Sequence, residues 1–302
     1  PPGEDLRYGK ERTELGRNFA NKIWNAARFA LRDVTTAPAL PPRERLSLAD
    51  RWILSRLQRV TLDSAQMLDE YRFNEGAMLL YRFIWGEFCD WYLELSKLAL
   101  YGHVAQEAEA ARATLLHTLE RLMRLLHPYM PFVSEEIWQA LPVPKEAPSV
   151  MVARYPAADD TRLDAEAERS VELLSELVRA VRNIRAELGL APSAEVKVRI
   201  KPSGKAIVVG ELEAYFRALA KVSAVETIGP EQHPAGEPSA VIAGVGEIYV
   251  PLRGVVDLGE VRSRIERDLK KVEKEIASVA GKLGRPDFVD KAPAEVVEKE
   301  RQ

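Results

Sequence analysis

With 302 residues, 46% of them apolar and 29% charged, the chain has the make-up of an ordinary globular protein with room for two or three domains. A net charge of −3 excludes a molecule that binds nucleic acid through bulk charge, so any RNA contact has to come from local basic patches. No run of about 18 apolar residues is present, so no membrane helix is expected, and a lone cysteine, Cys89, excludes a disulfide framework and a multi-cysteine zinc site.

The first ten residues, PPGEDLRYGK, have no initiator Met, charged n-region or apolar h-region, so they are no signal peptide and read as the cut edge of a longer chain. After a polar lead-in to residue 12, the stretch Gly16 to Arg32, GRNFANKIWNAARFALR, has helical periodicity and splits into two unlike stripes. Ala20, Ile23, Trp24, Ala27 and Leu31 make an apolar face. Arg17, Asn21, Arg28 and Arg32 form a second row, with Asn18, Asn25 and Phe29 beside it. Asn is a poor helix former, by up to roughly 0.7 kcal/mol against Ala. Even so, three of the chain's five Asn stand on this face. Guanidinium forks, carboxamides that donate and accept, and a ring at the edge can grip phosphates, read base edges and stack an unpaired base. Residue chemistry alone leaves a plain solvated face with one exposed Phe as the alternative.

Pro38, Pro41 and Pro42 force a loop. Ser47-Leu48-Ala49-Asp50 then reads as a capping box opening a second helix, with Ile53, Leu57, Val60 and Met67 inward. Asn74 is the expected N-cap of a third helix from Glu75 to about Leu100, apolar on most sides like the centre of a bundle. Cys89 within it reads as a buried, inert thiol and fits a reducing cytoplasm. A fourth helix carries Leu115, Leu119, Leu122 and Leu126 and ends at His127-Pro128; a short one from Pro131 or Ser134 is stopped by Pro142. The four histidines have no metal-site spacing.

Residues 142 to 156 are proline-rich, with Val150, Met151 and Val152 expected to be extended. Ala165 to Leu188 is a long amphipathic helix whose Arg179, Arg182 and Arg185 line a flank, either solvated or against an RNA backbone. Strands are expected at Val196–Ile200, Ala206–Val209 and Val225–Ile228, with a helix over Leu212–Ala220. Ala240–Ala243 and Glu247–Val250 flank a hairpin turn at Gly244-Val245-Gly246; a dinucleotide fingerprint would need glycine where Tyr249 stands.

Leu258, Val261, Ile265, Leu269, Val272, Ile276, Val279 and Leu283 step by three or four, the seam of a coiled coil. The pattern breaks between Gly281 and Pro293, and Pro293 is placed to start a returning helix. A lone amphipathic helix cannot bury its seam, so its partner is short, supplied by the body of the protein, or outside this stretch. Arg264, Arg267, Lys271 and Lys274 make a basic ridge opposite the seam, with Lys270 beside it. It is either a charge-mixed solvated face or a rail against an RNA backbone, which needs charge but no base reading.

The pattern Arg17-Asn18-Phe19, Asn21-Lys22, Trp24-Asn25 and Arg28-Phe29 resembles the first helix of the anticodon-binding domain of class I aminoacyl-tRNA synthetases, in the valine/isoleucine/leucine subgroup. The stretches FNEGAMLLYRFIWGEFCDWYLELSK (73–97) and HPYMPFVSEEIWQALP (127–142) resemble the same subgroup. YVPLRGVVDLGEVRSRIERDLKKVEKEI with KLGRPDFVDKAPAEVV resembles the coiled-coil arm of valyl-tRNA synthetases in particular. The resemblance is weaker across 165–245.

The resemblance implies a mainly α fold in three parts: a helical-bundle anticodon-binding domain (1–158), a small α+β junction domain (159–257) and a C-terminal coiled-coil arm (258–302). Phe29 would stack a base, and Arg28, Asn25 and Asn21 would hydrogen-bond edges or phosphates, flanked by Arg17, Asn18 and Arg32. The arm would lie along the outer corner of the tRNA, with Arg264, Arg267, Lys270, Lys271 and Lys274 on the backbone. The H-I-G-H and K-M-S-K-S signatures of the class I active site are absent. The chain itself is therefore expected to bind valine tRNA without charging it. ATP and magnesium would belong to the parent enzyme's catalytic part, which together with an editing domain lies outside this chain. A monomer in the cytoplasm is expected. The alternatives are the isoleucine enzyme, whose cysteine-rich zinc elements one cysteine cannot build, and a free-standing tRNA-binding or assembly module.

Overall fold

Periodic apolar spacing and strong end signals produce a mainly α chain, described in this computed structural model over residues 10–191, 193–203, 210–252 and 258–283. Helix α1 (Lys10–Ala30) begins earlier than expected, absorbing part of the polar lead-in. α2 (Leu48–Asp69) opens with the anticipated capping box: Ser47 Oγ accepts from the Asp50 amide at 3.1 Å and Asp50 Oδ2 from the Ser47 amide at 3.2 Å.

The third helix differs from expectation in two ways. Its N-cap is Arg72, which pairs with Glu70 and Glu75; Asn74 sits inside the first turn. Its middle is also not α-helical: α3 (Phe73–Arg82) runs into a π-helical segment (Phe83–Tyr92) and on into α4 (Leu93–Leu100), with helical dihedrals at both joins. α5 (Ala105–Leu126) and α6 (Pro131–Ala140) complete the bundle. Its centre is built of Ile53, Leu57, Leu80, Phe83, Leu119 and Trp138, all within 1% of complete burial. Residues 150–152 form a 3-10 turn, not an extended segment. Ser149 Oγ accepts from the Met151 amide and Glu135 Oε2 from the Val150 amide, which bends the chain back.

α7 (Ala165–Glu187) lies against α2, and the contact is charged. Asp164, 4% exposed, accepts from the Ala167 amide at 3.0 Å as the N-cap and pairs with Arg43 at 2.7 Å and Arg51 at 3.2 Å. One turn on, Glu168 receives Arg59 (2.8 Å) and the Ser55 hydroxyl. Arg185, expected on a flank open to solvent or RNA, is buried and donates to the carbonyls of Ala220 (2.8 Å) and Ala191 (3.0 Å). Arg182 donates to Leu219 O. Both satisfy orphan carbonyls, those of Leu219 and Ala220 lying at the end of the next helix, and so belong to the fold.

That helix, α8 (Glu211–Ala220), connects parallel strands β1 (Val196–Pro202) and β2 (Val222–Thr227). The hairpin of β3 (Ser239–Ile242) and β4 (Gly246–Tyr249) adds antiparallel to β1, giving the order β2-β1-β4-β3. Gly246 is required here: its φ is +127°, and an added Cβ would stand 2.1 Å from Lys201 O. The strand expected at Ala206–Val209 lies outside the described residues. α8 is tied to the bundle by Glu211 Oε2, which accepts from the Leu48 amide at 2.6 Å. Beside it Tyr92 donates to Asp50 Oδ1 at 2.7 Å, and burial raises the Asp50 carboxyl against the lowering effect of Ser47 and Tyr92. One hydrophobic cluster runs from Phe19 to Val250.

α9 (Leu258–Leu283) continues through Gly281, where a break was expected. Its seam residues Leu269, Val272 and Ile276 are 58%, 50% and 63% exposed. The Val261, Ile265 and Leu283 side chains and the returning helix at Pro293 lie outside the described residues. Among the described residues no helix is long and apolar enough to cross a membrane, and no group of His, Cys, Asp and Glu could hold a metal ion. Cys89 is buried, and burial pushes its thiol up to about 12, which leaves it unreactive.

Two predictions follow from this packing. Asp164→Ala removes a helix cap and leaves Arg51 without its buried partner, so chemical denaturation should show a loss of about 2–3 kcal/mol; Asp164→Asn, which can keep the cap, should lose less. His117 on α5 is pulled down to about 4, first by burial and then by Arg121, Arg162 and Arg124. A base whose native value lies below its unfolded value stabilises the fold above the unfolded value and loses that contribution as pH falls. Between about pH 6.5 and 4 the wild type should therefore lose on the order of 2–3 kcal/mol that His117→Gln does not. Equal pH slopes for the two proteins would refute this role.

Candidate nucleic-acid interface

α1 packs on the π-helical segment, α5 and α6. The side turned inward carries Phe19, Ile23, Ala26, Ala27 and Ala30, each at most 7% exposed. Phe19 is held between Tyr81 (ring centroids 4.9 Å apart) and Trp85 (6.4 Å). Small residues follow it, letting the helix C-terminal half approach closely. The apolar stripe read from the sequence needs one correction: Trp24 is 44% exposed, because one residue past the inward-facing Ile23 the helix has turned about 100°.

The opposite side holds the polar row. Arg17, Asn18, Asn21, Asn25, Arg28 and Arg32 are all exposed, and Phe29 is half-buried at the edge. No hydrogen bond or ion pair to other described residues occupies the side chains of those six. Their donors and acceptors therefore face outward along most of the helix, about 1.5 Å apart per residue in rise. Phe29 packs its inner edge on the core while the Lys97 ammonium stands 5.9 Å from its ring centroid. The same ammonium is paired with Glu94 at 2.6 Å, so it borders the ring with its charge already matched.

Two groups near this face are not visible in the α1 sequence. Lys97 comes from α4, and Arg112 comes from α5, donating to the backbone carbonyl of Arg32 at 3.2 Å. Arg112 adds positive charge at the C-terminal end of α1, where the helix dipole also favours cations, whereas the charge of Lys97 is matched by Glu94. They could have been found only by knowing which helices pack on α1. Lys22 spans the border: its ammonium pairs with Asp90 at 2.6 Å and lies 4.9 Å from the Trp85 ring.

On α9, Arg267, Lys270, Lys271 and Lys274 are exposed on the side away from Leu269, Val272 and Ile276. Arg267 Nε donates to Ser263 O at 3.2 Å, which holds the base of that side chain along the helix. The side chain of Arg264 lies outside those described. The structure thus brings six residues of the polar row and Phe29 onto one surface, and four of the five ridge residues onto another.

The model of the anticodon-binding domain of tRNA ligase matches residues 50–200, half of the chain, and that of the valyl tRNA synthetase tRNA binding arm matches 257–302. Over 99% of its length the chain is 44% identical to a valine–tRNA ligase of Geobacter sulfurreducens, covering 34% of that protein. It is 40% identical to the valine–tRNA ligase of Bacillus subtilis over the whole chain, again 34% of the relative. The chain thus spans about a third of the length of the curated relatives it matches. With bundle, polar helix face and arm in place, the chain belongs to the family of anticodon-binding domains of tRNA ligases.

Proposed function

We propose that the chain is the tRNA-recognition portion of a valine–tRNA ligase, which joins valine to its tRNA through valyl-adenylate using ATP. In this reading residues 1–158 form the anticodon-binding domain, 159–257 a junction and 258–302 the arm. The α1 face reads splayed-out anticodon bases: Phe29 stacks one, Arg28, Asn25 and Asn21 bond edges or phosphates, and Arg17, Asn18 and Arg32 flank them. The arm's Arg264, Arg267, Lys270, Lys271 and Lys274 take the backbone at the outer corner of the tRNA.

The observation that carries the reading is the α1 surface itself. Three carboxamides and two guanidiniums stand exposed on α1, with a third guanidinium, Arg32, in the turn that follows it, without protein partners among the described residues, around a half-buried ring. Asn at three interior helix positions lowers helix stability by roughly 1–2 kcal/mol in total, which a purely solvated face would not require. ATP and magnesium are assigned to the remainder of the parent enzyme, because the class I signatures H-I-G-H and K-M-S-K-S do not occur in this sequence. The arm similarity over 257–302 favours the valine enzyme over the isoleucine one. Cytoplasmic location and a monomeric state complete the proposal.

The two surfaces separate experimentally. Phe29→Ala and Arg28→Ala should weaken binding of valine tRNA by about 1–3 kcal/mol and narrow its preference over anticodon-swapped tRNA, read by equilibrium titration. Neutralising Arg267 and Lys271 should weaken all tRNAs alike and reduce the salt slope by roughly one per charge removed. Unchanged discrimination in Phe29→Ala would overturn the assignment of the reader.

A further inference from the structure

Between α2, the π-helical segment and α7 lies a groove of about 320 Å³ that the reading above leaves unused. Trp52, 6% exposed, forms its floor; Trp91, half-buried, forms a wall. Its inner charges are already matched: Arg56 forks onto Glu87 at 2.7 and 3.0 Å, and Glu168 receives Arg59. The rim is different. Arg179 and Glu172 are exposed on α7 and enter no ion pair or hydrogen bond among the described residues, although each lines the groove.

Glu87 and Trp91 stand four residues apart on the π-helical segment, a spacing that puts them on one side of a helix, and both line the groove. The Arg56–Glu87 ion pair and the half-buried Trp91 indole thus line the same groove. A free guanidinium at one side of the mouth supplies an anion site, and a free carboxylate supplies an acceptor. A ligand fitting all three carries a flat π face, a phosphate and an N–H donor.

The groove is linked to α1 through the π-helical segment, on which both α1 and α7 border. Asp90, the residue before Trp91, holds Lys22, whose helical neighbours Asn18 and Asn25 belong to the polar row. We infer that this groove is a second base subsite, holding one further unpaired nucleotide of the RNA strand that crosses α1, with its base on Trp91, its phosphate at Arg179 and its exocyclic amine at Glu172. The inference rests on the α1 reading and extends it by one nucleotide.

The test is binding of this chain to the anticodon stem-loop of a valine tRNA, with single abasic positions scanned through the loop, followed by fluorescence anisotropy. Arg179→Ala, on an exposed position that cannot unfold the bundle, should weaken the intact loop about tenfold, and Trp91→Leu likewise. One abasic position should weaken the wild type about tenfold yet leave Trp91→Leu nearly unaffected, because that stack is already gone. Wild-type affinity in Arg179→Ala and Trp91→Leu, with Arg28→Ala still impaired, would overturn the groove and spare α1. A loss in Trp91→Leu that adds to that of every abasic position would show that no base stacks on Trp91 and also overturn it. If Arg28→Ala binds normally too, both readings fall.

Discussion

Phe19 lodged against Tyr81 and Trp85 decides which side of α1 is spent on folding. With that ring fixed and Ala26, Ala27 and Ala30 closing on the neighbouring helices, rotation of α1 is removed as a freedom. Turning the helix by a single residue would bring an Asn or Arg into an apolar contact, where an unpaired polar group costs a few kcal/mol. The polar row is therefore held outward by the core, on a rigid element, and its side chains meet a ligand from a defined spacing. A surface built on a packed helix loses less freedom on binding than the same residues on a loop would.

The arginines show how little of a chain's basic content is free for a partner. Arg43, Arg51, Arg56 and Arg59 are engaged at the α2–α7 contact, Arg124 pairs with Glu120 and Glu146, and Arg182 and Arg185 donate to backbone carbonyls. Following each guanidinium to its partner leaves Arg17, Arg28 and Arg32 unengaged at the α1 surface among the described residues, as it leaves Arg45, Arg82, Arg154, Arg169 and Arg179 elsewhere. Net charge of −3 is compatible with RNA binding for the same reason: the sign that matters is that of the unpaired remainder.

Much of this was legible in the sequence. The Ser47–Asp50 capping box, the ends of α5 at His127-Pro128 and of α7 near Leu188, and the hairpin at Gly244–Gly246 each carry a local signal with a local cause. The outward side of α1 was legible because Asn has few other reasons to recur along a helix. The failures have physical reasons too. A π-helical stretch leaves no mark when nearly every side chain around the turn is apolar, as in Phe83–Tyr92. Trp24 was misplaced because a large apolar residue beside Ile23 looks like core until the 3.6-residue turn is drawn. Arg185 was misread because its partners, the carbonyls of Ala220 and Ala191, are up to 35 residues away. Lys97 and Arg112 reach the α1 surface through tertiary packing alone.

The two nucleic-acid surfaces differ in what they can contribute to a complex. The ridge on α9 presents cations on long flexible stems with no ring and no carboxamide among Arg267, Lys270, Lys271 and Lys274, so it can follow phosphates but distinguish no base. In the proposed reading, discrimination between tRNAs comes from groups that meet base edges and faces, which α1 carries and the ridge does not, while both surfaces add to affinity. A substitution on the ridge need not alter discrimination, and a tRNA with a foreign anticodon keeps the part of its binding that resides in the backbone.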